Sequence, residues 1–260
     1  MKTFLILLLC CSLHAAPVGN PSSPRILCRG FMIPTECWVN IRGGYEGDFV
    51  FDGNMEQAEK GSGLVDKYTR STHSGTATLD ILERLDLYGV FGYSKVNANW
   101  RFTDLADRIR YVQLTAARNF LWSIGGRAIL YSYDQLDIGL GARYGASHHH
   151  LSTFTIDGDS VSLQGGKCEW RGWQANLGLS YHICILTPYI GALYMDELTV
   201  IKGLASSFAD FGAHSDHLRN RCPVGMYLGC TLSNGQFFMV NVESRLISEE
   251  ALSVTVDFRF

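Results

Sequence analysis

The sequence predicts an all-β protein, a closed antiparallel transmembrane β-barrel of about ten strands, with about eight to twelve as the bounds. Three observations predict it. The last residues alternate strictly: Leu252, Val254, Val256, Phe258 and Phe260 share one strand face, Ser253, Thr255, Asp257 and Arg259 the other. That follows from successive side chains pointing to opposite sides of a strand. The same alternation recurs along the chain in stretches of roughly 9–11 residues, the length a tilted strand needs to cross a bilayer. The apolar face carries aromatics while the opposite face carries charges. A soluble sandwich or lipocalin-like barrel would not expose aromatics opposite so many charged groups.

Composition agrees. The 27 glycines and 12% aromatic residues fit close strand packing and interfacial aromatic girdles. A net charge of −3 without a basic run gives no support for nucleic-acid binding. No stretch of about 18 apolar residues follows the leader, which excludes a helical membrane protein.

In chain order, residues 1–15 read as a signal peptide. Lys2 precedes the apolar run Leu5 to Leu9, and small residues stand at Ala15 and Ala16, so the cut is placed after Ala15. Residues 16–36, with Pro17, Pro21, Pro24 and Pro34, form an irregular N-terminal segment. Residues 37–260 form the barrel. The first strand is Val39 to Phe51, followed by a polar, Gly-rich surface loop from Asp52 to Ser74. A weaker second strand, Gly75 to Leu82, turns at Glu83-Arg84 into a third with Leu85, Leu87, Gly89, Phe91 and Tyr93 outward. Residues 98–119 carry no clear period. Trp122 to Leu130 and Leu136 to Ala146 form the next hairpin. A second surface loop then holds His148-His149-His150, Asp157-Gly158-Asp159 and Gly165-Gly166.

Trp173 to Tyr181 is the sixth strand, joined by a turn at His182 to Ile185 to a seventh, about Leu186 to Val200. There Leu193 and Met195 interrupt the polar face. A loop covers Lys202 to about Leu218. Val224 to Leu232 and Phe238 to Leu246 flank the turn Ser233-Asn234-Gly235, a hairpin signal, and Ala251 to Phe260 is the tenth strand. Short turns fall on one side and long loops on the other, with both termini on the short-turn side, as in bacterial outer-membrane barrels. An even number of strands leaves no unpaired edge in lipid.

Several blocks carry a resemblance: Ala16-Pro-Val-Gly-Asn-Pro21, Gly44-Tyr-Glu-Gly-Asp-Phe-Val-Phe-Asp52, Trp122-Ser-Ile-Gly-Gly-Arg-Ala128, Trp173 to Tyr181, Thr187-Pro-Tyr-Ile-Gly191, Val242 to Glu249 and Asp257-Phe-Arg-Phe260. In this order they resemble the chlamydial major outer-membrane protein family of porins. The chain looks like a short, divergent member with trimmed loops, its cysteine-rich segment reduced to Cys28 and Cys37. The resemblance implies a passive outer-membrane channel for small hydrophilic solutes or ions in a Gram-negative-type envelope. It also implies a homo-oligomer (a trimer) or disulfide-linked envelope neighbours, and no enzymatic activity.

The inward-facing charges are the candidate pore lining: Arg42, Glu46, Asp48, Asp86, Arg127, Asp137, Arg143, Glu243, Arg245, Asp257 and Arg259, with Asp80 beside them. Mixed charges around a wet lumen screen solutes by charge. A narrow barrel can instead fill with its own side chains. Gly139, Gly141 and Gly145 favour space inside. Of eight cysteines, Cys10 and Cys11 leave with the leader, and the remaining six allow 15 pairings. Cys28, Cys37, Cys168 and Cys184, in loops, turns or terminal segments, are the disulfide candidates, while Cys222 and Cys230 read as small apolar strand residues. His148-His149-His150, and His214 with Asp216 and His217, are solvated loop groups rather than a metal or catalytic site. No cofactor is expected. The alternatives to a channel are a disulfide-linked structural or adhesive envelope protein, and a barrel hydrolase using those loop histidines.

Overall fold

The computed structural model describes residues 17–27, 38–57, 65–104, 106–161, 165–203 and 217–260. The signal-peptide reading, Cys28 and Cys37, and His214 and Asp216 lie outside these residues. The described strands are β1 (Val39–Gly53), β2 (Met55–Gln57), β3 (Val65–Ile81), β4 (Leu85–Thr103), β5 (Ile109–Ala116), β6 (Asn119–Tyr133) and β7 (Leu136–Ile156). They continue as β8 (Asp159–Ser160), β9 (Lys167–Tyr181), β10 (Leu186–Lys202), β11 (His217–Asn220), β12 (Val224–Ser233), β13 (Phe238–Leu246) and β14 (Glu249–Arg259).

Neighbouring strands pair antiparallel, and β14 closes on β1 from Arg42↔Arg259 to Gly53↔Glu249. The result is a ring of about ten wall strands, because two positions in the wall are each built from two pieces. β5 and β6 occupy one place between β4 and β7, β5 pairing with their upper parts and β6 with their lower parts. β11 and β12 share the place beside β10 in the same way. The β13–β14 hairpin is short, and above it β2 pairs directly with β11, so the upper ring closes too. Closure matters because an open sheet edge in hydrocarbon would leave N–H and C=O groups without partners.

The outer face carries a band of exposed apolar residues. On β4 it runs from Leu85 to Tyr93, on β7 from Leu136 to Tyr144, on β9 from Trp173 to Tyr181 and on β10 from Leu186 to Tyr194. Leu87, Phe91, Tyr93, Leu140, Leu177, Leu179 and Ile190 are among its exposed members. Nine residues at about 3.3 Å each, tilted about 40°, rise about 23 Å, close to the apolar band of an outer-membrane barrel. Among the described residues no helix is long and apolar enough to cross a membrane.

Above Tyr93 the pattern inverts on the same strand. Lys95, Asn97, Asn99, Arg101 and Thr103 turn outward, while Val96, Ala98, Trp100 and Phe102 are buried inside. The other upper strands follow, and fifteen buried residues form one apolar core. It includes Tyr68, Trp100, Val112, Leu114, Phe154, Ile156, Cys168, Ile201 and Leu218. The upper part is thus a water-soluble β-structure, apolar inside, standing on a membrane-type barrel that is polar inside.

This inversion corrects several sequence expectations. Residues 65–74 belong to β3 rather than to a loop, paired with β1 and β4; apart from Tyr68, Lys67 to Ser74 is polar and shows no apolar period. Residues 98–119 are the top of β4, then β5 and the start of β6. His148-His149-His150 lie on β7 rather than in a loop. There His149 is buried and bonds to Ser94 Oγ (3.2 Å), Ser147 Oγ (2.8 Å) and the Ala117 carbonyl (3.1 Å).

Candidate functional site in the lumen

The eleven charged residues of the expected pore lining sit on the inner side of the barrel wall, and nine of them are buried. They are not spread around a water-filled bore. They meet one another and a segment of the chain's own N-terminus, residues 17–27, which runs up the lumen from the lower rim to its middle.

At the lower rim Arg259 donates to the Leu27 carbonyl and lies 3.4 Å from Glu83. Arg42 pairs with Asp86 and donates to Ser23 O at 2.6 Å. Arg127 reaches Asp86 (3.5 Å) and Ser23 Oγ (3.0 Å). Asp137 takes Arg25 at 3.2 Å and His182 at 2.8 Å. Asp257 accepts from Thr76 at 3.2 Å. Pro24, at the start of the short helix Ser23–Ile26, presets φ for a first helical turn where its missing N–H costs nothing.

One level higher, the Asn20 amide donates to Thr187 O (3.3 Å) and Thr231 Oγ1 (2.9 Å), and Ser22 meets Ser180. Glu243 accepts from the backbone N–H of Val18 (2.9 Å) and of Gly19 (2.8 Å), and from Tyr189 Oη (3.1 Å). Gly19 has φ +75°, and a Cβ there would lie 2.4 Å from Arg127 Nη1, so this turn admits glycine. Val18 packs with Tyr189, Leu193, Met195 and Tyr227. That contact explains why Leu193 and Met195 interrupt the polar face of β10. Arg143 forks onto Glu46 (2.8 and 2.9 Å) and points its Nη1 at Pro17 O (3.5 Å), which also accepts from Gln174 at 3.2 Å.

At the third level Arg245 is held by Asp48 (2.6 Å), Glu249 (2.5 Å) and Glu243 (3.5 Å). Arg70 bridges Glu197 (3.0 Å) and Asp48 (3.5 Å) and lies 4.5 Å from the Trp170 ring centre. Buried ions paired this way satisfy one another's hydrogen bonds, and removing one partner strands the other at a cost of about 3–5 kcal/mol. Above this level the apolar core begins.

Sequence reasoning missed Arg70, Glu197 and Glu249, although extending the alternation of β3, β10 and β14 upward by a few residues places all three inward. It also read inward glycines as empty space. A Cβ at Gly139 would lie 3.0 Å from Pro21 Cβ, one at Gly178 2.8 Å from Pro21 Cγ, and one at Gly141 2.8 Å from Asn176 Nδ2. These glycines make room for the inserted segment and for neighbouring side chains.

The cysteine expectations are also revised. Cys168, Cys184, Cys222 and Cys230 are free. Cys168 is not in a loop but on β9, buried in the upper core, and burial pushes its thiol up to about 12. Cys168 and Cys184 lie at opposite ends of the barrel wall and cannot bridge each other. Cys184 is exposed in the lower turn, and Cys230 faces outward between Pro188 and Val242. Among the described residues no group of His, Cys, Asp and Glu is placed to hold a metal.

No protein-family model matches this chain. It is 24% identical to the major outer membrane porin, serovar F, of Chlamydia trachomatis, over 377 aligned positions covering 96% of this chain and 95% of that protein. It is 23% identical to the major outer membrane porin of Chlamydia muridarum, covering 96% of each. A 377-position alignment to a 260-residue chain means the relatives carry long insertions. Among solved structures, an outer-membrane channel from Pseudomonas putida F1 superposes with a TM-score of 0.44 at 12% identity, covering 95% of this chain and 98% of that one.

Proposed function

We propose that this chain, a divergent relative of the chlamydial major outer membrane porins, is an outer-membrane channel for small hydrophilic solutes or ions, held closed in this conformation. The observation that carries the reading is the make-up of the lumen within the apolar band. A closed wall lined by charges encloses a strand-wide space, and a segment of the chain occupies it together with the wall's own ion pairs. Ten strands about 4.8 Å apart and tilted about 40° give a backbone radius of about 10 Å, which leaves a bore of roughly 5 Å radius once side chains are subtracted. The end-to-end similarity to proteins named porins supports the same reading.

Opening then needs two changes. The N-terminal segment must leave the lower lumen, and the apolar core of the upper strands must part. The test is single-channel recording of refolded protein across a salt gradient. The parent should open rarely. A chain lacking residues 16–27 and carrying Trp100→Ala should open in clear steps, with a reversal potential shifted by Asp137→Ala. A folded, heat-modifiable barrel that never conducts, even with both seals weakened, overturns the channel reading.

Two observations favour a second reading, a structural envelope protein: the lumen is filled from rim to cap, and Cys184 is exposed on the side of the short turns. Non-reducing gels of intact envelopes would show Cys184-dependent multimers if that reading holds. The hydrolase reading loses support from the burial of His149 between two serines. We take the protein to be non-enzymatic.

A further inference from the structure

Three cations stand at one height on the outside of the wall. Lys95 on β4, Arg118 just ahead of β6 and Arg171 on β9 are exposed. Each lies two residues above an aromatic at the top of the apolar band, Tyr93, Phe120 and Trp173 in turn. Two residues of tilted strand rise about 5 Å, which puts the cations at the level of lipid headgroups, above the aromatic girdle. Short turns mark the inner rim of such barrels, so the row meets the outer leaflet. Lys95 and Arg118 are neighbours, one step above the Ser94↔Asn119 pair. Arg171, opposite Ala146, is two strands further round the wall, about 10 Å from Arg118. Among the described residues none of the three carries an ion pair. Glu169, two residues above Arg171, is taken by Lys202 (2.6 Å) and His148 (3.9 Å). The row ends at Ser71 on β3, opposite Lys95, and at Asp196 on β10, opposite Trp173.

Below the cations the same strands carry a hollow. The lipid face of β4, β6 and β7 is indented by about 580 Å³ between Leu87, Gly89, Ile124, Ala142 and Tyr144, because Gly89 and Ala142 set almost no side chain among three large ones. Ile124 is six residues below Arg118, so the hollow lies about 15 Å beneath the cations. That is half of the ~30 Å hydrocarbon core, the depth at which the acyl chains of one leaflet end. We propose that this face binds a phosphorylated lipid of the outer leaflet, with its anionic headgroup on Lys95, Arg118 and Arg171 and an acyl chain laid past Trp122 into the hollow. Charge complementarity selects this occupant. Unpaired like charges side by side repel and are relieved by an anion. A second copy docked by the same face would set the same cations together, and a zwitterionic lipid brings no net charge to neutralise them. The proposal concerns the outer face of the wall and stands whether or not the lumen conducts.

The test refolds the protein into phosphatidylcholine vesicles in which a small fraction of the lipid is dibrominated phosphatidic acid or, in a parallel set, dibrominated phosphatidylcholine. Bromine quenches tryptophan fluorescence on contact, and Trp122 lies between the cations and the hollow. At equal mole fraction the phosphatidic acid should quench several-fold more. Lys95→Gln combined with Arg118→Gln should lower its affinity relative to phosphatidylcholine at least tenfold. Ala142→Phe, which fills the hollow and leaves the cations in place, should lower it several-fold. Heat-modifiability on gels confirms that each wall has folded; if the charge variant folds poorly, raising the salt on the parent should remove the excess quenching instead. Equal quenching by the two lipids, as when a second copy covers the hollow, overturns the proposal, and so does an excess that survives loss of the two charges. An excess unchanged by Ala142→Phe overturns the seat given to the acyl chain.

Discussion

Trp100→Ala tests the division of the molecule into a membrane barrel and a water-soluble cap. Trp100 is 1% exposed, packs 6.3 Å from the Phe154 ring centre and lies in a core to which nearly every upper strand contributes. Burying a tryptophan removes about 150–250 Å² from water, worth about 4–6 kcal/mol at about 25 cal/mol per Å². Measured aromatic-to-alanine losses in cores are about 3–5 kcal/mol, and the smaller range is the one to use. Every 1.4 kcal/mol is about tenfold in an opening equilibrium, so amides of the upper parts of β4, β5 and β7 should exchange about a hundred-fold to a few thousand-fold faster. Amides within the apolar band, such as those of Leu87 and Leu140, should not change, because their hydrogen bonds lie in lipid. Exchange measured by mass spectrometry in detergent or nanodiscs reads both regions at once. Uniform loss of protection across both regions would refute the division. So would a cap that keeps its protection without the tryptophan.

Four further outcomes follow from the same geometry. Ile124→Arg puts a charge on the lipid face opposite Gly89, midway up the band, and should cost roughly 2–4 kcal/mol, read as a lower urea midpoint for folding into vesicles; Ser71→Arg, above the band, should not. Glu243→Gln weakens the charge-assisted bonds to Val18 and Gly19 by about 1.5–3 kcal/mol, and should speed exchange at those two amides while the wall stays heat-modifiable. Asp104 accepts from the backbone N–H groups of Arg108 and Ala106 and from the Arg110 side chain, which hold it at about 2, below the ordinary 3.8. The turn should therefore keep its full stability above about pH 4 and lose it as pH falls through about 2, and Asp104→Asn should abolish that dependence in amide exchange at 106 and 108. Burial, helped by the nearby charge of Arg70 and opposed by the bond to the Ala117 carbonyl, holds His149 below its usual 6.5, so the cap needs the neutral ring. Its stability should be complete above about pH 6.5 and decline as pH falls below that; cap melting at pH 7.5 and 5.0 reads the loss, and His149→Gln should flatten it.

The outer wall was legible in the sequence because strand alternation is a local property. Leu85 to Tyr93, Leu136 to Tyr144 and Trp173 to Tyr181 each declare an apolar face within nine residues. The short turns between them set the antiparallel order, and the parity of those turns gives about ten strands. The same alternation assigned the eleven inward charges. What those charges meet was not legible. Val18 contacts a carboxylate 225 residues away, Ser22 a serine 158 away, and Arg143 a carboxylate 97 away. Such contacts exist only once the ring has closed and brought opposite walls within side-chain reach. The inversion above Tyr93 escaped for a related reason. Lys95-Val-Asn-Ala-Asn-Trp100 alternates as well as the segment below it, but the period alone says only that the two faces differ. Which face meets water depends on whether lipid or solvent lies outside at that height, and the tertiary structure alone sets the height.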